Sequence, residues 1–185
     1  MNYVKLYIEK LKSGEIITSQ KVKKWYFNHI EPIINDQDPN YYFNEKRGEK
    51  FIRFAETFCK QSKDRWAGKP LSLCLFQKAK WQCIFGILKR ETNRRKFREV
   101  LDVRGRKNGK STEHAAVANY LTLTEKGGEL YSAATVADPA FNTTFMAAVN
   151  AHAKHVSKIQ PKVYLKEEPT KNKMYLDRIL CLRPN

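Results

Sequence analysis

The sequence predicts an α/β protein carrying a parallel sheet, preceded by an N-terminal helical region. Three observations lead there. Strand-like and helix-like segments alternate through the second half of the chain, the order that lays crossover helices on parallel strands. A Gly109-Lys110-Ser111 turn joins a strand candidate to a helix candidate. The first third shows only helical segments and turns. The expected division is a helical region over residues 1–65 and a partial α/β domain over residues 66–185.

The elements follow in order. Tyr3 to Leu11 reads as a short helix stopped by Ser13-Gly14. Ser19 is placed to cap a second helix running from Gln20 to Phe27. Residues 35–41 are turn-rich and read as a linker. From Asn44, Phe51, Phe54, Ala55 and Phe58 recur at helical spacing, with Arg47, Lys50, Arg53 and Lys60 opposite. That aromatic stripe is expected in the core, not as a base-stacking platform. Trp66-Ala67-Gly68-Lys69-Pro70 breaks the helix, and Leu71 to Leu75 is short and apolar. Gln77 opens a helix carrying Trp81, Ile84, Phe85 and Leu88. Thr92 to Arg98 reads as a basic loop, and Phe97 to Val103 as a strand. A helix is expected from Thr112 to about Leu123, a turn at Lys126-Gly127-Gly128 and a strand over Glu129 to Ala134. Asp138-Pro139 starts a further helix with Phe141, Phe145, Ala148 and Val149 on one face. Lys162 to Leu165 and Met174 to Leu182 are weaker strand candidates.

Composition bounds the chemistry. The chain has 185 residues, 42% hydrophobic and 12% aromatic, with 8 Gly and 7 Pro, which excludes a wholly disordered or collagen-like polymer. No apolar run approaches the roughly 18 residues of a membrane span, and the N-terminus lacks the apolar stretch of a secretory signal. Cys59, Cys74, Cys83 and Cys181 form no CxxC pair, so a reducing cytoplasm is expected and a disulfide or zinc scaffold is not. Lys and Arg number 35 against 19 Asp and Glu, a net charge of +16. Residues 44–111 carry +13 of it, and ten cations crowd between Lys89 and Lys110. Such a field attracts polyanions, either nucleic acid or nucleotide phosphates; the alternative is a solvated basic face without a partner.

Gly109-Lys110-Ser111 sits where a phosphate-binding P-loop belongs. Backbone amides of such a loop and of the helix N-terminus point at phosphate oxygens, and the helix dipole favours the anion. Lys110 would reach the β- and γ-phosphates and Ser111 would ligate Mg²⁺. Arg106 and Lys107 add two cations able to offset charge developing during hydrolysis. Asn108 and Thr112 complete the candidate site. In the pattern G-x-x-x-x-G-K-[ST] the first glycine would fall on Arg104, while Gly105 comes one residue late. The alternative is a basic turn capped by Ser111.

These residues resemble the large terminase subunit of tailed phages, the motor that packages double-stranded DNA into procapsids. Four stretches carry the resemblance: Tyr7 to Ile16; Phe51-Ile52-Arg53-Phe54 running to Trp66-Ala67-Gly68-Lys69-Pro70-Leu71, Phe76-Gln77 and Phe85-Gly86; Arg106 to Ser111; and Glu129 to Thr135. The third is the most specific, since Arg replaces a glycine-rich loop residue in the family's Walker A motif. The resemblance implies a P-loop NTPase-like parallel sheet, with ATP and Mg²⁺ as cofactors. It implies Gln77 as the residue reading adenine, though a polar residue at a helix N-terminus reads equally well there. Lys110 and Arg106 become the catalytic pair at the phosphates. It also implies double-stranded DNA, a small terminase subunit and a portal as partners, a homo-oligomer in the full-length protein, no membrane, and the bacterial host cytoplasm as location. Asp138-Pro139-Ala140 departs from the Asp-Gln-Ala common in the family. Glu167-Glu168 is the one adjacent acidic pair after Ser111; it lacks the long apolar strand of a Walker B motif and reads as an exposed turn. The sheet is therefore expected to be incomplete, with the Walker B strand, coupling motif and nuclease domain absent and hydrolysis poor.

His152 and His155, three residues apart, lack a third ligand and do not predict a metal site. Two alternatives stand beside the motor. One is a non-enzymatic basic nucleic-acid-binding module using Lys89 to Lys107. The other is an inactive remnant whose unpaired strand edges promote aggregation.

Overall fold

The structure, a computed structural model, describes residues 1–61, 64–105, 108–124, 130–132 and 180–182. Most of these residues are helical. The strands among them form two antiparallel pairs, so the expected mixture of α and β is present while the ladders are antiparallel. The chain gathers into two units. One comprises Met1–Arg53 with Ser72–Val103, the other Phe54–Leu71 with the chain from Arg104 onward.

In the first unit, helix α1 (Tyr3–Lys12) forms because Val4, Tyr7, Ile8 and Leu11 lie on one face and are all buried. Each such side chain contributes about 1.5–3 kcal/mol relative to exposure. Asn2 caps the start through Lys5 N–H at 2.9 Å, and Gly14, at φ +79°, turns the chain away after the end. Helix α2 (Gln20–Trp25) starts at Ser19, whose hydroxyl accepts from Val22 N–H. It does not stop at Phe27 as expected. A π-turn (Tyr26–Ile30) carries it into α3 (Glu31–Ile34), with Glu31 N–H bonded to Tyr26 O, five residues back. Pro32 explains the widened turn: in a regular helix its ring would strike the carbonyl of Asn28. Tyr26, Ile30 and Ile33 from this rod complete the core with Ala79, Cys83 and Ile87.

Strand β1 (Tyr41–Phe43) follows the expected linker over residues 35–41 and shares only Tyr41 with it. Asn44 then accepts from Arg47 N–H, and helix α4 (Glu45–Phe58) follows. Helix α5 (Leu75–Gly86) ends at a glycine, so Leu88, expected on the helix, lies instead on strand β2 (Ile87–Lys89). β2 pairs antiparallel with β1, Tyr42 opposite Leu88. Glycines let α4 and α5 meet: a Cβ at Gly48 would lie 2.6 Å from Gln82 O, and one at Gly86 would lie 2.9 Å from the Phe43 ring. Beside this crossing Phe51 stacks on Phe85 at 5.1 Å and tilts against Trp81 at 5.3 Å, so the aromatic stripe begins as core. Fully buried Gln82 accepts from Val4 N–H at 3.1 Å and donates to Met1 O at 2.9 Å, which ties α1 to α5.

The strand expected over Phe97 to Val103 does not form. Phe97 packs on Trp25 at 6.0 Å, Asp102 pairs with Lys80 at 2.8 Å, and the residues between run without a ladder. Leu101 is 91% exposed and Val103 80%. Phe97, Val100, Leu101 and Val103 suggest a strand by composition, but no described strand pairs with this stretch.

In the second unit the end of α4 runs into a closed turn. Leu71 N–H donates to Cys59 O at 2.8 Å and Gln61 N–H to Lys69 O at 2.9 Å. Helix α6 (Lys110–Thr124) starts within two residues of the expected helix and buries a face of small and polar residues: Glu113, Ala115, Ala116, Ala118, Asn119 and Thr122. Tyr120 meets Phe54 at 5.4 Å. Strand β3 (Leu130–Ser132), inside the expected Glu129 to Ala134 strand, pairs antiparallel with β4 (Leu180–Leu182). The helix expected after Asp138, His152, His155 and Glu167-Glu168 lie outside the described residues. Among the described residues no helix is long and apolar enough to cross a membrane.

Candidate functional site

The candidate site is the junction entering α6. Gly109 has φ +68°, in the left-handed region that favours glycine, and a Cβ there would meet nothing within 4 Å. Backbone conformation, not crowding, therefore selects glycine here. The helix begins at the next residue, and its first i→i−4 bond is Glu113 N–H to Gly109 O at 3.0 Å. Within the helix, the amides of Lys110, Ser111 and Thr112 thus have no carbonyl one turn back. Lys110, Asn108 and Gly109 are exposed, and Ser111 and Thr112 are half-buried. Arg106 and Lys107 lie outside the described residues.

The loop is held from inside. Arg104, where the P-loop pattern wants glycine, points its guanidinium at Glu113. Nη2 lies 2.7 Å from Oε2, with the carboxylate side chain 1% exposed and the arginine 13%. Nη1 donates to Asn108 O at 3.5 Å, and Asn108 Nδ2 donates to Gly105 O at 3.4 Å. Those two bonds are long and weak; the ion pair is short and charge-assisted. Glu113 was not legible as a site residue. The one signal available was an acid in the first turn of the helix that follows the loop.

Gln77 is the third residue of α5 and 8% exposed. Its Oε1 accepts from Cys74 N–H at 2.8 Å, the return half of a capping box, so the role at a helix N-terminus is realised. It belongs to the first unit and Lys110 to the second. Among the described residues no group of three His, Cys, Asp or Glu side chains could hold a metal ion. A magnesium carried by phosphate needs less: one hydroxyl, which Ser111 offers in the first turn of α6.

The basic run is partly committed. Arg90 pairs with Asp36 and donates to Asp38 O at 3.2 Å. Arg95 stands over Phe85 at 5.5 Å and Lys96 over Tyr41 at 4.0 Å. Lys89, Arg94 and Arg98 are exposed. No protein-family model, curated protein or solved structure gives a significant match to the chain.

Proposed function

We propose that the chain binds Mg·ATP at Gly109–Thr112 and is the ATP-binding portion of a DNA-packaging motor of the large-terminase kind. The observation that carries this is the left-handed Gly109 placed directly before the start of α6, within Arg106-Lys107-Asn108-Gly109-Lys110-Ser111. A turn of that hand lets successive amides converge on one anion, and the helix start adds its dipole. Lys110 reaches the β- and γ-phosphates, and Ser111 ligates the magnesium. The Asn108 and Thr112 backbone lines the cup. By the resemblance Arg106 and Lys107 would supply positive charge for the γ-phosphate, while Gln77, whose Oε1 is held by the Cys74 N–H, is left out of this reading. The reading keeps a P-loop NTPase-like parallel sheet as its structural expectation. Its partners are double-stranded DNA, a small terminase subunit and a portal.

The test is a calorimetric titration of Mg·ATP into the wild type and Lys110→Ala. The wild type is expected to bind and to hydrolyse slowly or not at all, while the variant loses at least about tenfold in affinity, since a charge-assisted bond contributes roughly 1.5–3 kcal/mol. Equal affinity in both proteins overturns the reading. A second reading, a non-enzymatic nucleic-acid-binding module, draws on exposed Lys89, Arg94 and Arg98. It expects DNA binding indifferent to nucleotide and only modestly weakened by Lys110→Ala.

A further inference from the structure

We propose that the closed turn after α4 binds single-stranded nucleic acid, with Trp66 as the platform on which one base stacks and Arg65 and Lys69 as contacts to the phosphates beside it. This site is distinct from the phosphate loop and from the basic run of the first unit, and it depends on neither reading.

Trp66 is 50% exposed, whereas Trp81 is 4% exposed and Trp25 half-buried. Half an indole left in water forfeits burial that the fold gives the other two tryptophans. The backbone around it is fixed. Gly68 N–H donates to Gln61 O at 2.8 Å, Lys69 N–H donates to Trp66 O at 3.0 Å, and Lys60 bridges Pro70. Gly68 supplies the φ of +80° that closes the turn. The ring is thus displayed before a ligand arrives, which lowers the ordering cost of binding. Two cations flank it. Arg65 Cζ lies 5.1 Å and Lys69 Nζ 4.6 Å from the ring centroid, and both residues are exposed. An aromatic face with cations at its side complements a strand whose bases are splayed and whose backbone is anionic. A stacked base outweighs an exposed cation–π contact, so the cations leave the ring for the phosphates. A duplex keeps its bases stacked on one another and offers the indole no face. A membrane anchor needs further apolar bulk at the tip, where Ala67, Gly68 and Pro70 stand beside Trp66.

Fluorescence titration in the absence of ATP tests the site. An oligothymidylate of about 16 nucleotides, alone or annealed to oligoadenylate, is added to the full chain, to Trp66→Ala, to Trp66→Phe and to the double variant Arg65→Gln, Lys69→Gln, with a thermal melt of each. The wild type is expected to bind the single strand with its indole emission quenched. Trp66→Ala loses about tenfold in affinity, while Trp66→Phe stays within about threefold and loses the quench, because a phenyl ring stacks without supplying the indole signal. The double variant makes the slope of log K against log salt shallower by about 1.4, two contacts at about 0.7 each. Unchanged affinity in Trp66→Ala overturns the proposal, and so does a quench that survives Trp66→Phe. Duplex binding that depends equally on Trp66 overturns it, as does a Trp66 quench by phosphatidylserine vesicles that the strand does not produce. A turn merely braced by its cations predicts a lower melting temperature for Trp66→Ala with strand affinity unchanged, which also overturns it. Should Trp66→Ala fail to fold, the paired readouts of Trp66→Phe decide. Failure of Mg·ATP binding leaves each of these results standing.

Discussion

At the scale of single residues, packing and burial set signs that composition alone would reverse. Gly48 lies inside α4, where exchanging glycine for alanine ordinarily gains about 1 kcal/mol of helix propensity. Here the added methyl would meet Gln82 O at 2.6 Å and Gln82 Cγ at 2.7 Å. Gly48→Ala is therefore expected to destabilise by about 1–3 kcal/mol in urea unfolding; a stabilised variant would show that the two helices do not cross so closely. Cys59 gives a second sign. Burial pushes its thiol up from 9.0 to about 12, and burial raises Cys83 and Tyr26 as well. Each group keeps its proton to higher pH folded than unfolded. Their stabilisation is complete below about pH 9 and drains away as pH climbs toward 12. Denaturation midpoints should fall across that window, and Cys59→Ala should make the fall shallower.

Elements were legible where their cause is local. α1, the Ser19 cap, α4 and α6 follow from apolar spacing and capping side chains within a few residues, and the structure has each of them. The β1–β2 ladder was not legible. Each strand is three residues long, and Tyr41 finds Lys89 across 48 positions, so the pairing is a tertiary event without a local trace. The opposite error occurred at Phe97 to Val103, where strand-like residues lack a described partner. The candidate site divides the same way. Gly109 and the start of α6 were visible as a motif. The tie from Arg104 to Glu113 was not, because an ion pair nine residues apart depends on how the loop folds back. Removing one member of such a buried pair costs roughly 3–5 kcal/mol, more than most loop substitutions. Arg104→Ala should thus lower the melting temperature clearly, whereas Lys110→Ala, at an exposed position, should barely move it.

For the whole molecule the question is how much of the +16 net charge faces outward. Of the ten cations from Lys89 to Lys110, Arg90, Arg95, Lys96 and Arg104 are engaged by the fold itself. On the nucleic-acid reading proposed above, the three exposed first-unit cations Lys89, Arg94 and Arg98 would give a slope of log K against log salt of about −3 for duplex DNA, and recruiting Arg90, Arg95 and Lys96 as well would give about −5. That reading expects a slope near −3 in a salt titration, and one near −5 would mean that DNA strips Arg90, Arg95 and Lys96 from their internal contacts.

Bare Leu101 and Val103 have a consequence for the protein as a solute. Two greasy side chains on a run of unladdered backbone invite one copy to stick to another, and the cationic surface holds copies apart. Raising ionic strength shortens the reach of that repulsion without weakening the stickiness. Self-association is therefore expected to grow with added salt, read as rising light scattering.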